Sequence, residues 1–159
     1  MGRLLESELG ELLVARGLTL AVAESCTGGL LCHRLTNVAG SSRYFLGGVV
    51  SYANEAKINV LGVRLDTLQA HGAVSPQTAQ EMAQSARGLF GADIALAVTG
   101  VAGPGGGTVQ KPVGLVFVHL SAGDAEWGER FQWAGGREQN KAQSAASALL
   151  LLRSYLRRS

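Results

Sequence analysis

Apolar residues recur along the chain with two different spacings. Leu4, Leu5, Leu9, Leu12 and Leu13 stand about one turn apart among Glu and Arg, which predicts an amphipathic helix over Arg3–Ala15 that Gly17 ends. Leu18–Ala23 is a short unbroken apolar run and reads as a buried strand. Glu24 to Gly29 then turns the chain into a second helix reaching about Leu35. Tyr44–Tyr52, rich in Gly, Val and aromatic residues, predicts a strand. Asn54 is suited to cap a short helix through Val60, and Thr67–Gly72 forms another helical piece. Ser75-Pro76 sets an N-cap and first helical residue for a helix to Phe90, stopped by Gly91. Asp93–Val98 and Val113–Leu120 read as strands flanking a glycine-rich loop, Thr99–Pro112. Trp127–Trp133 alternates as a hairpin partner, and Gly135-Gly136 opens a last helix, Arg137–Leu156.

Strands interleaved with helices imply an α/β fold whose sheet is covered on both faces. The late hairpin makes that sheet mixed, and mostly parallel elsewhere. With 159 residues, no internal repeat and no linker, the chain reads as a single domain over 1–159. Hydrophobic residues make up 47% and charged residues 16%, which excludes a disordered chain. No apolar run approaches the roughly 18 residues of a membrane span, and Met1–Arg16 lacks a secretory signal, so a cytoplasmic location is expected. The net charge is only +2, and basic residues gather only at Arg153, Arg157 and Arg158, a weak footprint for nucleic acid. Cys26 and Cys32 lack CxxC spacing, and His33, His71 and His119 are scattered; no metal site is expected.

Polar residues concentrate in three loops at strand ends: Glu24–Gly29, Ser51–Lys57 and Thr99–Pro104. Such loops meet in a crevice of an open α/β sheet. Ser25 stands between a buried strand and a glycine-containing helix start, where free N–H groups of Thr27, Gly28 and Gly29 can hold an anion or an oxyanion. A plain N-cap serine fits the same spacing. A serine needs a base to become a nucleophile. No histidine has a companion acid at a telling spacing along the chain, and Lys57 is the other candidate base. With Asn54 as cap, Lys57 is third in its helix, where the helix dipole and partial burial both disfavour its charged form. A solvent-facing lysine is the plainer alternative. The loop through Gly100, Gly103, Gly105, Gly106 and Gly107 matches neither a P-loop nor GxGxxG, yet such a run can present N–H groups to an anion. Arg137 offers a phosphate-binding fork at a helix start, where the dipole does not favour a cation. Cys26 is a rival nucleophile if one of the histidines partners it.

Taken together, Ala23-Glu24-Ser25-Cys26-Thr27-Gly28-Gly29, Tyr52-x-Asn54-x-x-Lys57, His71-Gly72-Ala73-Val74-Ser75, Thr99-Gly100-x-Ala102-Gly103-Pro104 and Lys111-Pro112-Val113-Gly114 resemble the CinA C-terminal domain family, from about Leu5 to Leu156. That family includes the nicotinamide-nucleotide amidohydrolases, and this chain looks like the stand-alone form. The resemblance implies a three-layer α/β/α fold and cofactor-free, metal-free hydrolysis of the carboxamide of nicotinamide mononucleotide to the acid and ammonia. It puts the nucleophile on Ser25, the lysine on Lys57, and assisting roles on Tyr52 and Thr99. It also implies a small-molecule pyridine nucleotide as partner and a homodimer or higher homo-oligomer. Glu24 would orient Lys57 or bind ribose, in a supporting role because a close carboxylate raises a lysine pKa. Thr27, Gly28, Gly29, Gly100, Gly103, Gly105 and Arg137 would bind substrate, and Tyr44, Phe45 and Tyr52 are candidates for the pyridine ring. A non-catalytic nucleotide-binding or regulatory module using the same glycine loops is the alternative from another class.

Overall fold

The computed structural model describes residues 4–158, so the expected helix start at Arg3 lies outside the described residues. In chain order the elements are α1 (Leu5–Arg16), β1 (Leu20–Glu24), α2 (Leu30–Thr36), a 3-10 turn (Ser41–Arg43), β2 (Phe45–Val50), α3 (Asn54–Asn59), α4 (Leu65–His71), α5 (Pro76–Phe90), β3 (Ile94–Gly100), β4 (Leu115–Ala122), β5 (Ala125–Gln132) and α6 (Arg137–Arg157). The helix after Ser25 begins later than the sequence suggests, because Gly28 and Gly29 take left-handed φ values of 61° and 100° and keep residues 25–29 in a turn. Asn54 is the first helical residue rather than the cap; Ala53 holds the cap position with no side-chain bond. Ser75 does cap α5, accepting the Thr78 N–H, with Pro76 behind it.

The strands form one sheet in the order β2-β1-β3-β4-β5. β1 pairs in parallel with both β2 and β3, whereas β4 is antiparallel to β3 and β5, so β4 alone runs against the rest. Side-chain size explains how both faces of this sheet are covered. Every residue of β1 is buried, yet alternate positions point to opposite faces. Leu20, Val22, Ile94, Leu96 and Val98 pack with Leu9, Leu13, Leu31, Leu35 and the α6 residues Ala148, Leu149 and Leu152. Ala21, Ala23, Ala95 and Ala97 form the other face and pack with Met82, Ala83 and Ala86 of α5. The register sets Ala21 beside Ala95 and Ala23 beside Ala97, a floor of methyl groups on which α5 rests.

This layering makes β1, β2 and β3 end together at one edge, at Glu24, Val50 and Gly100. At the opposite end of the molecule's charge pattern, Arg157 pairs with Glu8 and Arg158 with Asp124, so the C-terminal basic group is engaged within the chain. Among the described residues no helix is long and apolar enough to cross a membrane.

The alanine floor leaves no space for added volume. Ala97→Leu is expected to destabilise the fold by about 1–3 kcal/mol through overpacking against α5, read as a lower urea midpoint.

Candidate active site

Ser25 directly follows β1, and its N–H donates to the Val98 carbonyl on β3 at 3.0 Å. On the other side, the Ser51 N–H donates to the Glu24 carbonyl at 2.8 Å, which ties the end of β2 to the same point. The serine is thereby fixed where three strand ends meet. Lys57 reaches back from α3 into this junction. Its Nζ donates to the Ser51 carbonyl at 2.7 Å and to Ser25 Oγ at 2.9 Å, with a longer contact of 3.5 Å to the Tyr52 carbonyl.

Lys57 is 1% exposed and Ser25 8% exposed. Burial pushes the Lys57 pKa below its ordinary 10.5, opposed only by nearby Cys26. Among the described residues no carboxylate pairs with its ammonium group. Of the two causes expected for a depressed Lys57 pKa, burial acts and the helix's positive end does not, because Lys57 is the fourth residue of a six-residue helix and stands in its last turn.

A cleft of about 290 Å³ opens over the pair, lined by Ser25, Cys26, Tyr52, Asn54, Lys57, Ala73, Val74, Thr99, Gly100, Val101, Ala102, Gly103, Gly105, Gly106 and Arg137. Thr99 is 1% exposed, and its hydroxyl donates to the Ala73 carbonyl at 2.7 Å. Tyr52 is largely exposed, and its phenol oxygen accepts from Arg137 at 2.9 Å across the mouth of the cleft. The same guanidinium donates to the Gly103 carbonyl at 2.7 Å. Gly103 has φ +86°, and a Cβ there would meet Val113 Cγ1 at 2.5 Å, so glycine is required on both counts.

Several expected site residues lie elsewhere. Glu24 is fully buried and does not line the cleft; its carboxylate accepts the Leu31 and Cys32 N–H groups at 2.9 Å each. It serves α2 rather than ribose or Lys57, since a buried carboxylate needs donors and the first turn of a helix supplies them. Thr27 is fully buried, and Gly28 and Gly29 stand outside the cleft lining. The Gly28 N–H already donates to the Ser25 carbonyl, which removes it as an anion donor; those of Cys26 and Thr27 have no backbone acceptor among the described residues. Tyr44 is buried beside Gly10 under a separate groove of about 640 Å³, and Phe45 packs on the main core, so of the three aromatic candidates only Tyr52 lines the cleft.

Cys26 lines the cleft, but its surroundings disfavour the thiolate that nucleophilic attack requires. Burial pushes its thiol up to about 12, and Glu24 adds to the rise. His33 contacts Asn37 instead. Both cysteines are free, and no group of three or more His, Cys, Asp or Glu among the described residues could hold a metal ion. Asn140, absent from the sequence-based candidates, is 1% exposed and bonded to the Ala102 carbonyl and the Gly135 N–H. Its signal was present: α6 carries a buried stripe of Asn140, Ser144 and Ser147 where a helix packed on a core ordinarily carries only apolar residues.

Fold and site define an α/β domain with a buried serine–lysine pair at the crevice where parallel strands end. The model of the CinA C-terminal domain matches residues 3–156, and the chain belongs to that family. A putative competence-damage inducible protein of Moorella thermoacetica is 55% identical over 153 residues, covering 96% of this chain and 37% of the relative. A CinA-like protein of Desulfotalea psychrophila is 52% identical over 148 residues, covering 93% of this chain and 36% of the relative. The chain thus spans little more than a third of the length of these relatives. Among solved structures, a CinA superfamily protein of Klebsiella pneumoniae superposes with TM-score 0.92 at 39% identity, covering 96% of this chain and 95% of that one. A competence/damage inducible protein of Agrobacterium tumefaciens gives TM-score 0.90 at 39% identity, covering 99% of each.

The depressed Lys57 pKa links stability to pH. Below 10.5 the unfolded chain binds a proton that the folded site resists, so the penalty of burying this amine is greatest at low pH and fades as pH rises toward 10.5. Lys57→Met removes the penalty. Its stability relative to wild type, from urea denaturation, is expected to fall as pH rises through the range just below 10.5. A difference that stays flat over that range would show that the amine is not held below its ordinary pKa.

Proposed function

We propose that this domain hydrolyses the carboxamide of nicotinamide mononucleotide, releasing ammonia and nicotinate mononucleotide. The observation that carries the reading is the 2.9 Å contact between Lys57 Nζ and Ser25 Oγ, buried and with no paired carboxylate among the described residues. A neutral amine whose hydrogens go to the Ser51 and Tyr52 carbonyls keeps its lone pair for the serine proton. Ser25 Oγ attacks the amide carbon as its proton passes to Lys57. The oxygen of the tetrahedral adduct takes negative charge, and the N–H of Cys26, which lines the cleft beside Ser25 and has no backbone acceptor among the described residues, is the donor placed to stabilise it.

Lys57, now charged, returns the proton to the departing nitrogen. The C–N bond breaks, ammonia leaves, and the acyl group stays on Ser25. Water then adds to the ester with Lys57 again as base, and the carboxylic acid and free Ser25 result. Thr99 holds the Ala73 segment against the cleft, and Tyr52 with Arg137 closes its mouth. Arg137 and the Gly103–Gly106 loop suit the substrate's phosphate, a planar fork beside flexible backbone donors.

We place the reaction in pyridine nucleotide salvage, within NAD metabolism, in the cytoplasm, where Cys26 and Cys32 would stay reduced. A homodimer through β2 fits the surface. β2 is an edge strand, no charged residue lies between Arg43 and Glu55, and Leu46 and Val50 are exposed, so the usual protections of an edge are missing. Val50→Lys is expected to halve the mass seen by light scattering; a mass equal to that of wild type would remove β2 as the interface.

Ammonia release from nicotinamide mononucleotide tests the chemistry directly. Ser25→Ala is expected to lower kcat by at least about a thousandfold, while Cys26→Ala stays within a few-fold of wild type. Bound but intact nucleotide after long incubation with the wild-type protein would instead favour a non-catalytic binding module.

A further inference from the structure

We infer that Asn140 is a positioning residue for the phosphate end of the substrate: it bolts the glycine loop to the start of α6 and so sets where Arg137 stands. This rests on the phosphate reading of Arg137 given above. Asn140 lies one helical turn beyond Arg137 and touches the cleft with none of its own atoms. Its Nδ2 donates to the Ala102 carbonyl at 3.0 Å, and its Oδ1 accepts the Gly135 N–H at 3.1 Å. One buried amide therefore satisfies a carbonyl on one side and an N–H on the other, and both belong to segments that flank the phosphate site.

The neighbouring bonds show what this amide fixes. Arg137 donates to the carbonyl of Gly103, the residue after the one Asn140 holds. The Gly136 N–H is taken by Gln139, and Ser144 donates to the Asn140 carbonyl at 2.6 Å while receiving the Trp133 indole N–H. The loop and the segment entering α6 are thus joined through one side chain, and Trp133 is tied to the same residue's backbone carbonyl through Ser144. Gly135 belongs to the same arrangement: a Cβ there would meet Gln139 Oε1 at 2.6 Å and Asn140 Oδ1 at 3.2 Å. None of these bonds involves Ser25 or Lys57, whose supports come from β2, β3 and α3. The amide-cleaving pair and the phosphate grip are thus held by networks that meet at Tyr52, whose carbonyl takes the long contact from Lys57 and whose phenol oxygen accepts from Arg137, and the bonds of Asn140 lie wholly on the Arg137 side, so damage there should largely spare the pair.

The test compares nicotinamide mononucleotide with the nucleoside that lacks its phosphate. Asn140→Leu keeps the size of the side chain and deletes both bonds. It is expected to raise KM for the nucleotide by about tenfold or more, leave kcat within about threefold, and leave kcat/KM for the nucleoside unchanged. Asn140→Asp, which retains the acceptor for Gly135, and Gly135→Ala, which crowds the same amide from the other side, should shift the nucleotide-to-nucleoside ratio in the same direction and carry the test if the leucine variant does not fold. Calorimetric binding of both compounds in a Ser25→Ala background reads the same ratio without turnover. Equal losses for nucleotide and nucleoside, or an unchanged ratio, would overturn the inference. A ratio that falls in a protein releasing no ammonia would leave Asn140 in its role and overturn the amidase reading instead.

Discussion

A primary amine held out of water beside a hydroxyl is the constraint around which this domain is arranged. Lys57 could lie on the surface at almost no cost; buried, it loses hydration that only well-placed acceptors can replace. The Ser51 and Tyr52 carbonyls supply them, and they are available because β2 ends there and its next residues bend away from the sheet. Ser25 completes the set. The absence of a paired carboxylate among the described residues matters as much as these bonds, because a nearby negative charge would hold the amine protonated and idle.

Glu24 illustrates how a charge can sit one residue from the nucleophile without spoiling it. Side-chain direction alternates along β1, so the Glu24 side chain points to the α2 face while Ser25 opens toward the cleft. Its carboxylate is spent on the first N–H groups of α2. The sheet's two different faces support this separation. One is bulky and receives α1, α2 and α6, and the other is lined by alanine and receives α5.

Much of this was legible in the sequence, for identifiable reasons. Ser75-Pro76 marks the start of α5 because both residues have a local physical preference for those positions. The α/β class follows from strands interleaved with helices. The alternation of large and small residues in β1 and β3 was hidden, since a strand buried on both faces reads as one apolar run. The pairing of Ser25 with Lys57 is suggested by residue type, but the two carbonyls that make Lys57 burial tolerable belong to the backbone and leave no trace in residue identity. Asn54 drew attention as a cap and turned out to be a helical residue lining the cleft. Glu24 stands beside Ser25 in sequence, which suggests a role in the site, but the alternation of β1 turns its side chain to the face of Leu20 and Val22, where α2 receives it.

The two carboxylate bonds from Glu24 have a mechanical consequence. They couple strand β1 to α2 across the turn that carries Ser25, and the Val98 and Glu24 backbone bonds clamp that turn from both sides. The serine cannot swing to meet a ligand. Accommodation must come from the opposite wall, where residues 104–110 are exposed and glycine-rich and carry few tethers of their own. Entry and departure of small molecules would then be governed by the suppleness of that wall, with the bond-breaking corner acting as a stationary anvil.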